Sequence, residues 1–272
     1  KNKLIVASPH QYDRILATEK RLVVQSSLRF AFLILAALLS FYSVGFLDGE
    51  RLAEGVPAIT TLVQEMIPPD FTEWVTWMHP LWETLVMSVA GTAFALVLSL
   101  PLGLLAAANT SPHPVAYFMC RGILNTLRAI PELIMGILFV AAVGFGALPG
   151  ALALGLHSTG MVGKFIAEII EHIDEEPVEA VKASGSRLPK IIRYAVIPQV
   201  FSQVADITIY RWEYHFRAST VLGMVGAGGI GFELIGSLRL MRYQEVFALL
   251  IVVLVMVTLI DSFGAYLRRR LR

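Results

Sequence analysis

From Thr84 to Cys120 the sequence contains no Asp, Glu, Lys or Arg, and a second such tract runs from Leu133 to Gly163. A bilayer core about 30 Å thick takes about 20 apolar helical residues to cross. Each tract is therefore too long for one span and too apolar for solvent. Two shorter charge-free tracts flank them, Phe30 to Leu47 and Val246 to Ile260. With 56% hydrophobic and 16% charged residues and a mean hydropathy of +0.67, the chain belongs among membrane proteins.

Proline and glycine clusters divide the long tracts. Pro112-His113-Pro114 breaks the first, and Gly144 to Gly150, with Pro149, breaks the second. A weaker apolar stretch from Ile191 to about Tyr210 carries Arg193 and Asp206 and completes a set of six. The expected spans are Leu28 to Leu47, Pro80 to Ala108, Val115 to Val143, Ala147 to Ile170, Ile191 to Arg211 and Tyr243 to Leu267. The expected fold is all-α, a polytopic transmembrane helical bundle. Residues 1–27 form an N-terminal segment that does not read as a cleavable signal, and residues 28–272 form the membrane domain. Between the first two spans, Ala58 to Ile67 reads as a short amphipathic helix ended by Pro68-Pro69.

Charge fixes the expected orientation. The first inter-span loop holds Arg51 against Asp48, Glu50, Glu54, Glu65, Asp70 and Glu73, whereas Lys and Arg collect before Phe30, between residues 182 and 193, and after Leu267. Basic segments stay in the cytoplasm. Both termini are expected there, in a multi-pass membrane protein. The 22 basic and 21 acidic residues nearly cancel, so nothing in the charge balance calls for nucleic acid.

Several chemistries are not supported by the residues. Gly226, Gly228 and Gly231 have dinucleotide-loop spacing, but that fingerprint needs a preceding strand. The segment reads instead as non-helical backbone at membrane depth, either a gate or a plain connecting loop. Gly163-Lys164 lacks the hydroxyl residue of a phosphate loop, because Phe165 follows. The six histidines fall in separate segments, which argues against a metal site, and no nucleophile and base pair is evident. His157 reads as a packed residue and Cys120 as a small apolar one. No catalytic residue is expected.

The loop Ile173 to Lys190 has the signals of a short helix: Asp174 at its N-cap position, Glu175, Glu176 and Pro177 in the first turn, and Gly185 past its end. On composition alone it is a solvated linker. Yet Glu179-Ala180-Val181, three residues, Gly185, nine residues, Ala195, one residue and Ile197-Pro198 resembles the Glu-Ala-Ala loop of ABC importer permeases. Val181, Ala195 and Ile197 depart from that pattern; the glutamate, glycine and proline keep its spacing. Phe216 to Gly231 resembles the phosphonate branch of the same family.

The resemblance implies a type I ABC importer permease, a subunit without its own ATPase site. Its implied partners are a second copy of itself, two cytoplasmic ATP-binding subunits that hold ATP and Mg, and an external solute-binding protein. Glu179, Ala180, Ala183, Gly185 and Pro198 would couple it to the ATPase. The implied solute is phosphonate, phosphite or a related oxyanion, with methionine or another small amino acid as the alternative. An ATP-independent secondary transporter or channel is the reading from another class, and no inverted repeat supports it. Guanidinium suits phosphoryl oxygens, so Arg128 and Arg217 are expected to border the pathway, with Glu213 pairing Arg217 one turn away. Gly226, Gly228 and Gly229 are expected to offer backbone NH groups to the anion.

Overall fold

A computed structural model describes residues 9–46 and 48–271, with side chains from residue 19 onward. It divides into residues 1–64 and residues 65–272. The first unit holds α1 (Pro9–Ser43) and most of α2 (Gly49–Met66). Helix α1 starts far ahead of the expected boundary at Leu28, because no proline or glycine interrupts residues 10 to 44. It ends at Gly45, with φ of 79°, where Gly45 N donates to Tyr42 O (3.0 Å) and Phe46 N to Phe41 O (2.9 Å). These two bonds satisfy carbonyls of the last turn. The expected N-terminal residues 1–8 and the span end at Leu47 lie outside the described residues.

Helix α2 also starts earlier than expected, running through Pro57 rather than beginning after it. The hydrogen bond that proline forfeits lies on an exposed face, where water replaces it.

The second unit contains α3 (Met78–Ala106), α4 (Pro114–Ala129), α5 (Glu132–Val143), α6 (Ala147–Glu171), α7 (Glu175–Ala183), α8 (Leu188–Ile191), α9 (Ile197–Leu222), α10 (Ile230–Arg239) and α11 (Tyr243–Leu271). Among the described residues, three helices are long and apolar enough to cross a membrane: α1 from Glu19, α3 and α11. The count reaches five when two bent pairs are each taken as one span.

One bent pair falls on the expected span Val115 to Val143. Helices α4 and α5 meet at 86° across Ile130-Pro131. Ile130 is extended (φ −86°, ψ 121°), as a residue clashing with a following proline ring tends to be. The other pair joins α9 to α10 at 59°. Helix α9 continues well past the expected end at Arg211 and closes in a widened turn, residues 223–227, in which Gly226 has φ of 105°. Gly228 and Gly229 also have positive φ, so the expected non-helical glycine segment is present at this corner.

Helix α6, expected as a span, is not among the described helices apolar enough to cross a membrane, so the expected set of six falls to at most five. It is the central helix of the unit, packed by α3, α4, α5 and α9. Its polar middle, Ser158 and Thr159, is buried in protein and never meets lipid. Close approach between helices is what membrane association exploits. Gly160 shows it best: a Cβ there would lie 2.6 Å from both Leu124 O and Arg128 N of α4.

Three apolar clusters follow one another along the bundle. Ala106, Cys120, Leu124, Ile166 and Val200 form the one nearest α7. Met87, Met135, Leu154 and Leu222 form the middle one. Trp77, Leu81, Ile230 and Leu249 close the opposite end.

Candidate functional site

The loop between α6 and α9 is the first candidate element. Helix α7 buries none of its residues, and Glu179, Ala180 and Ala183 are all exposed. Gly185 has φ of 75°, a left-handed position that makes the bend after the helix, and its N donates to Lys182 O at 2.9 Å. Asp174 takes the N-cap position, but its carboxylate makes no capping bond. Gln199 does the fastening instead. Its Oε1 accepts from Asp174 N at 3.0 Å, and its Nε2 donates to Ala195 O at 2.8 Å.

Pro198 explains why that carbonyl is within reach. Having no NH and a bulky ring, it spoils regular helix before it, and residues 192–196 form a wider turn. Sequence reasoning named Pro198 and missed Gln199, whose position one residue further on was the available signal.

The α6 root of the loop is held as firmly. Arg121 Nη2 donates to both carboxylate oxygens of Glu171, at 2.7 and 2.9 Å, while Arg121 Nε donates to Ala106 O at 3.0 Å. Glu171 Oε1 accepts from Ala108 N at 2.8 Å, and Asn109 Nδ2 donates to Ile170 O at 2.6 Å. The last turn of α6 is thus clamped to α3 and α4. The geometry is an exposed helix on stiff roots, able to transmit a push to the membrane helices.

Polar residues inside the bundle form the second element. Thr92 Oγ1 lies 2.7 Å from His215 Nδ1, and His215 Nε2 lies 2.5 Å from Ser158 Oγ. Arg211 Nη2 donates to the same Ser158 Oγ, and its guanidinium sits 4.3 Å from the Tyr214 ring centre. Tyr214 OH donates to Glu132 Oε1 at 2.6 Å. The chain of contacts links α3, α6, α9 and α5. Sequence reasoning had Arg211 only as the end of a span and did not bring it together with Thr92, Glu132, Ser158, Tyr214 or His215. Arg211 Nε and Glu132 Oε2 are buried without a hydrogen-bond partner among the described residues.

The expected pairing of Glu213 with Arg217 is not made. Both turn to α11: Glu213 Oε1 accepts from Arg268 Nη1 at 2.6 Å, and Arg217 Nη1 donates to Asp261 at 3.1 and 3.2 Å. An acid on a neighbouring helix reached at closer range outcompetes the one-turn pair. Gly264 makes room for Glu213, since a Cβ there would collide with its carboxylate. Glu213 is buried, whereas Arg217 and Arg128 are exposed.

The glycine segment is braced by an acid. Glu83 Oε2 accepts from Gly229 N at 3.0 Å and Thr84 Oγ1 from Ile230 N at 2.9 Å. Gly226 O accepts from Gly146 N at 3.2 Å. The Gly229 amide, expected to attract a passing anion, is already occupied by a carboxylate.

Residues 99–272 match the family of binding-protein-dependent transport system inner membrane components. A phosphite transport system permease, PtxC of Stutzerimonas stutzeri, is 60% identical over 86% of this chain and 86% of its own. A phosphate-import permease, PhnE of Mycolicibacterium smegmatis, is 40% identical over 86% of this chain and 44% of its own. An inward-facing structure of the MetNI methionine ABC transporter superimposes with a TM-score of 0.61 at 22% identity, covering 72% of this chain and 96% of that one. The fold is that of type I ABC importer permeases, and the protein is a membrane permease rather than an enzyme. By sequence over most of its length, the chain belongs to the binding-protein-dependent transport system inner membrane component family.

Proposed function

We propose that this permease imports phosphite or a closely related phosphorus oxyanion. The 60% identity to a phosphite permease over 86% of the chain carries that reading. The methionine alternative rests on weaker likenesses, a relative 26% identical and a solved structure 22% identical. Two copies form the passage, two ATP-binding subunits supply ATP and Mg from the cytoplasmic side, and an external binding protein delivers the solute. Both termini lie in the cytoplasm, as the distribution of Lys and Arg suggests.

In this account the loop 173–190 is the coupling element. ATP-driven closure of the partner subunits pushes on α7. Glu179 offers a carboxylate, Ala180 and Ala183 permit close approach, and Gly185 and Pro198 set the angles at which the push enters α9. The exposed Arg128 and Arg217 border the passage, and Glu213 fixes α9 against α11 beside it. Gly226, Gly228 and Gly229 shape the corner opposite α7, where Glu83 braces them, and serve as a gate.

The test is uptake of radiolabelled phosphite by cells lacking their own phosphite and phosphonate importers. The permease is expressed with the ATPase and binding protein encoded beside it. Uptake competed by phosphonate but not by methionine supports the reading; uptake of methionine alone overturns it.

A further inference from the structure

Helix α2 has a solute-independent feature that the transport reading leaves unused. Leu52, Val56, Ile59, Leu62 and Val63 are all exposed. At about 100° per residue they fall within an arc of about 120°. Glu50, Glu54, Thr61, Gln64 and Glu65 occupy the opposite arc, together with Pro57. One face is apolar and the other acidic along the whole helix.

The chain order says what meets the apolar face. Helix α2 begins at Gly49, close behind the membrane-crossing segment that ends at Ser43. It is followed by the short connection 67–77 to α3, the next membrane-crossing helix. The far end of α3 lies beside α6 and the loop to α7, through Ala108 and Glu171 and through Asn109 and Ile170. Met78 therefore lies at the membrane face opposite α7, and in sequence α2 connects the end of one membrane-crossing segment to the start of the next. Exposed aromatic side chains bracket it, Tyr42 and Phe46 before and Phe71 and Trp74 after. Tyr and Trp of this kind concentrate where acyl chains meet headgroups.

We propose that α2 lies in the plane of the membrane, its Leu52–Val63 stripe inserted at the headgroup and acyl boundary and its acidic face in water. Amphipathic helices of this kind bind by apolar burial plus attraction to anionic lipid. Here the acids remove the second contribution, so insertion rests on apolar burial and does not need anionic lipid.

The test is a spin-label scan of residues 52–65, one cysteine at a time, in a Cys120→Ala background. The permease is reconstituted with its ATPase in phosphatidylcholine vesicles, with and without phosphatidylglycerol. Collision rates with oxygen, which partitions into lipid, and with a water-soluble nickel chelate are compared at each position. The expected result is a helical period in which labels at 52, 56, 59 and 63 favour oxygen, while labels at 54, 61 and 64 favour nickel. Labels at 54 and 61 also report whether the helix is intact. Nickel reaching the stripe as freely as the acidic face overturns the proposal in favour of a solvated helix. Shielding of the stripe from both reagents overturns it in favour of a protein partner such as the second copy. A pattern that appears only with phosphatidylglycerol overturns the stated driving force. Each outcome is read without any solute, so it is separable from failure of the phosphite reading.

Discussion

Gln199, in the first turn of α9, holds Asp174, the residue before α7, through a 3.0 Å bond from Asp174 N to Gln199 Oε1. The same side chain grips Ala195 O at 2.8 Å, so both ends of the coupling loop are referred to one amide. Replacing it should loosen the lever without removing it. Two hydrogen bonds of about 1 kcal/mol each are lost in Gln199→Ala. The expected outcome is ATP hydrolysis near the wild-type rate with fewer solute molecules moved per ATP, measured in vesicles holding the complete transporter.

Glu179 and Gly185 are exposed, and a Cβ at Gly185 would meet open space. Glu179→Lys should therefore leave the permease folded and in the membrane while abolishing uptake, because its effect falls on the partner surface. Gly185→Asp adds about 1–2 kcal/mol of backbone strain at φ 75° and should act alike. Membrane abundance by immunoblot and uptake by isotope count separate the two effects.

The Glu213 and Arg268 pair is the more buried of the bonds joining α9 to α11. Arg268→Met strands a buried carboxylate and should cost about 3–5 kcal/mol. Glu213→Gln together with Arg268→Met should recover most of that loss. A thermal unfolding cycle on the purified protein in detergent measures the coupling; additive losses would contradict the pairing.

Ser158 is where Arg211 and His215 meet. Ser158→Ala removes the hydroxyl from a buried guanidinium and should cost about 1.5–3 kcal/mol. Thr92→Ala, which removes a neutral hydroxyl shared by the far side of His215 and Ser88 O, should cost less. The order of the two melting temperatures checks the direction in which the network is weighted.

Gly160 faces the α4 backbone so closely that even Ala at this position must move a helix. Overpacking of this kind costs about 1–3 kcal/mol, and Gly160→Leu is expected to exceed that range. Yield of folded permease by size-exclusion chromatography reads the result.

Much of this architecture was legible because its signals are local. The charge-free tracts marked the membrane segments, the cluster from Gly144 to Gly150 marked the turn before α6, and Gly185 marked the bend after α7. Gly226 to Gly229 announced non-helical backbone, which their φ values bear out. What escaped was decided by contacts between distant residues. The partner of Glu213 lies on another helix, and so does that of Arg217. Pro131 was visible in the sequence, but whether it kinks a span or turns it through 86° depends on how α5 packs against α6 and α9. Gln199 carried no signal except its place beside Pro198.

The central claim is that this chain moves solute only when ATP-driven subunits act through α7. The most direct test is phosphite entry into proteoliposomes containing the permease, its ATPase and its binding protein, with and without ATP. Uptake that needs ATP and all three components, and that vanishes in Glu179→Lys while the mutant remains inserted, is the predicted result. Equal uptake by vesicles holding the permease alone would contradict it.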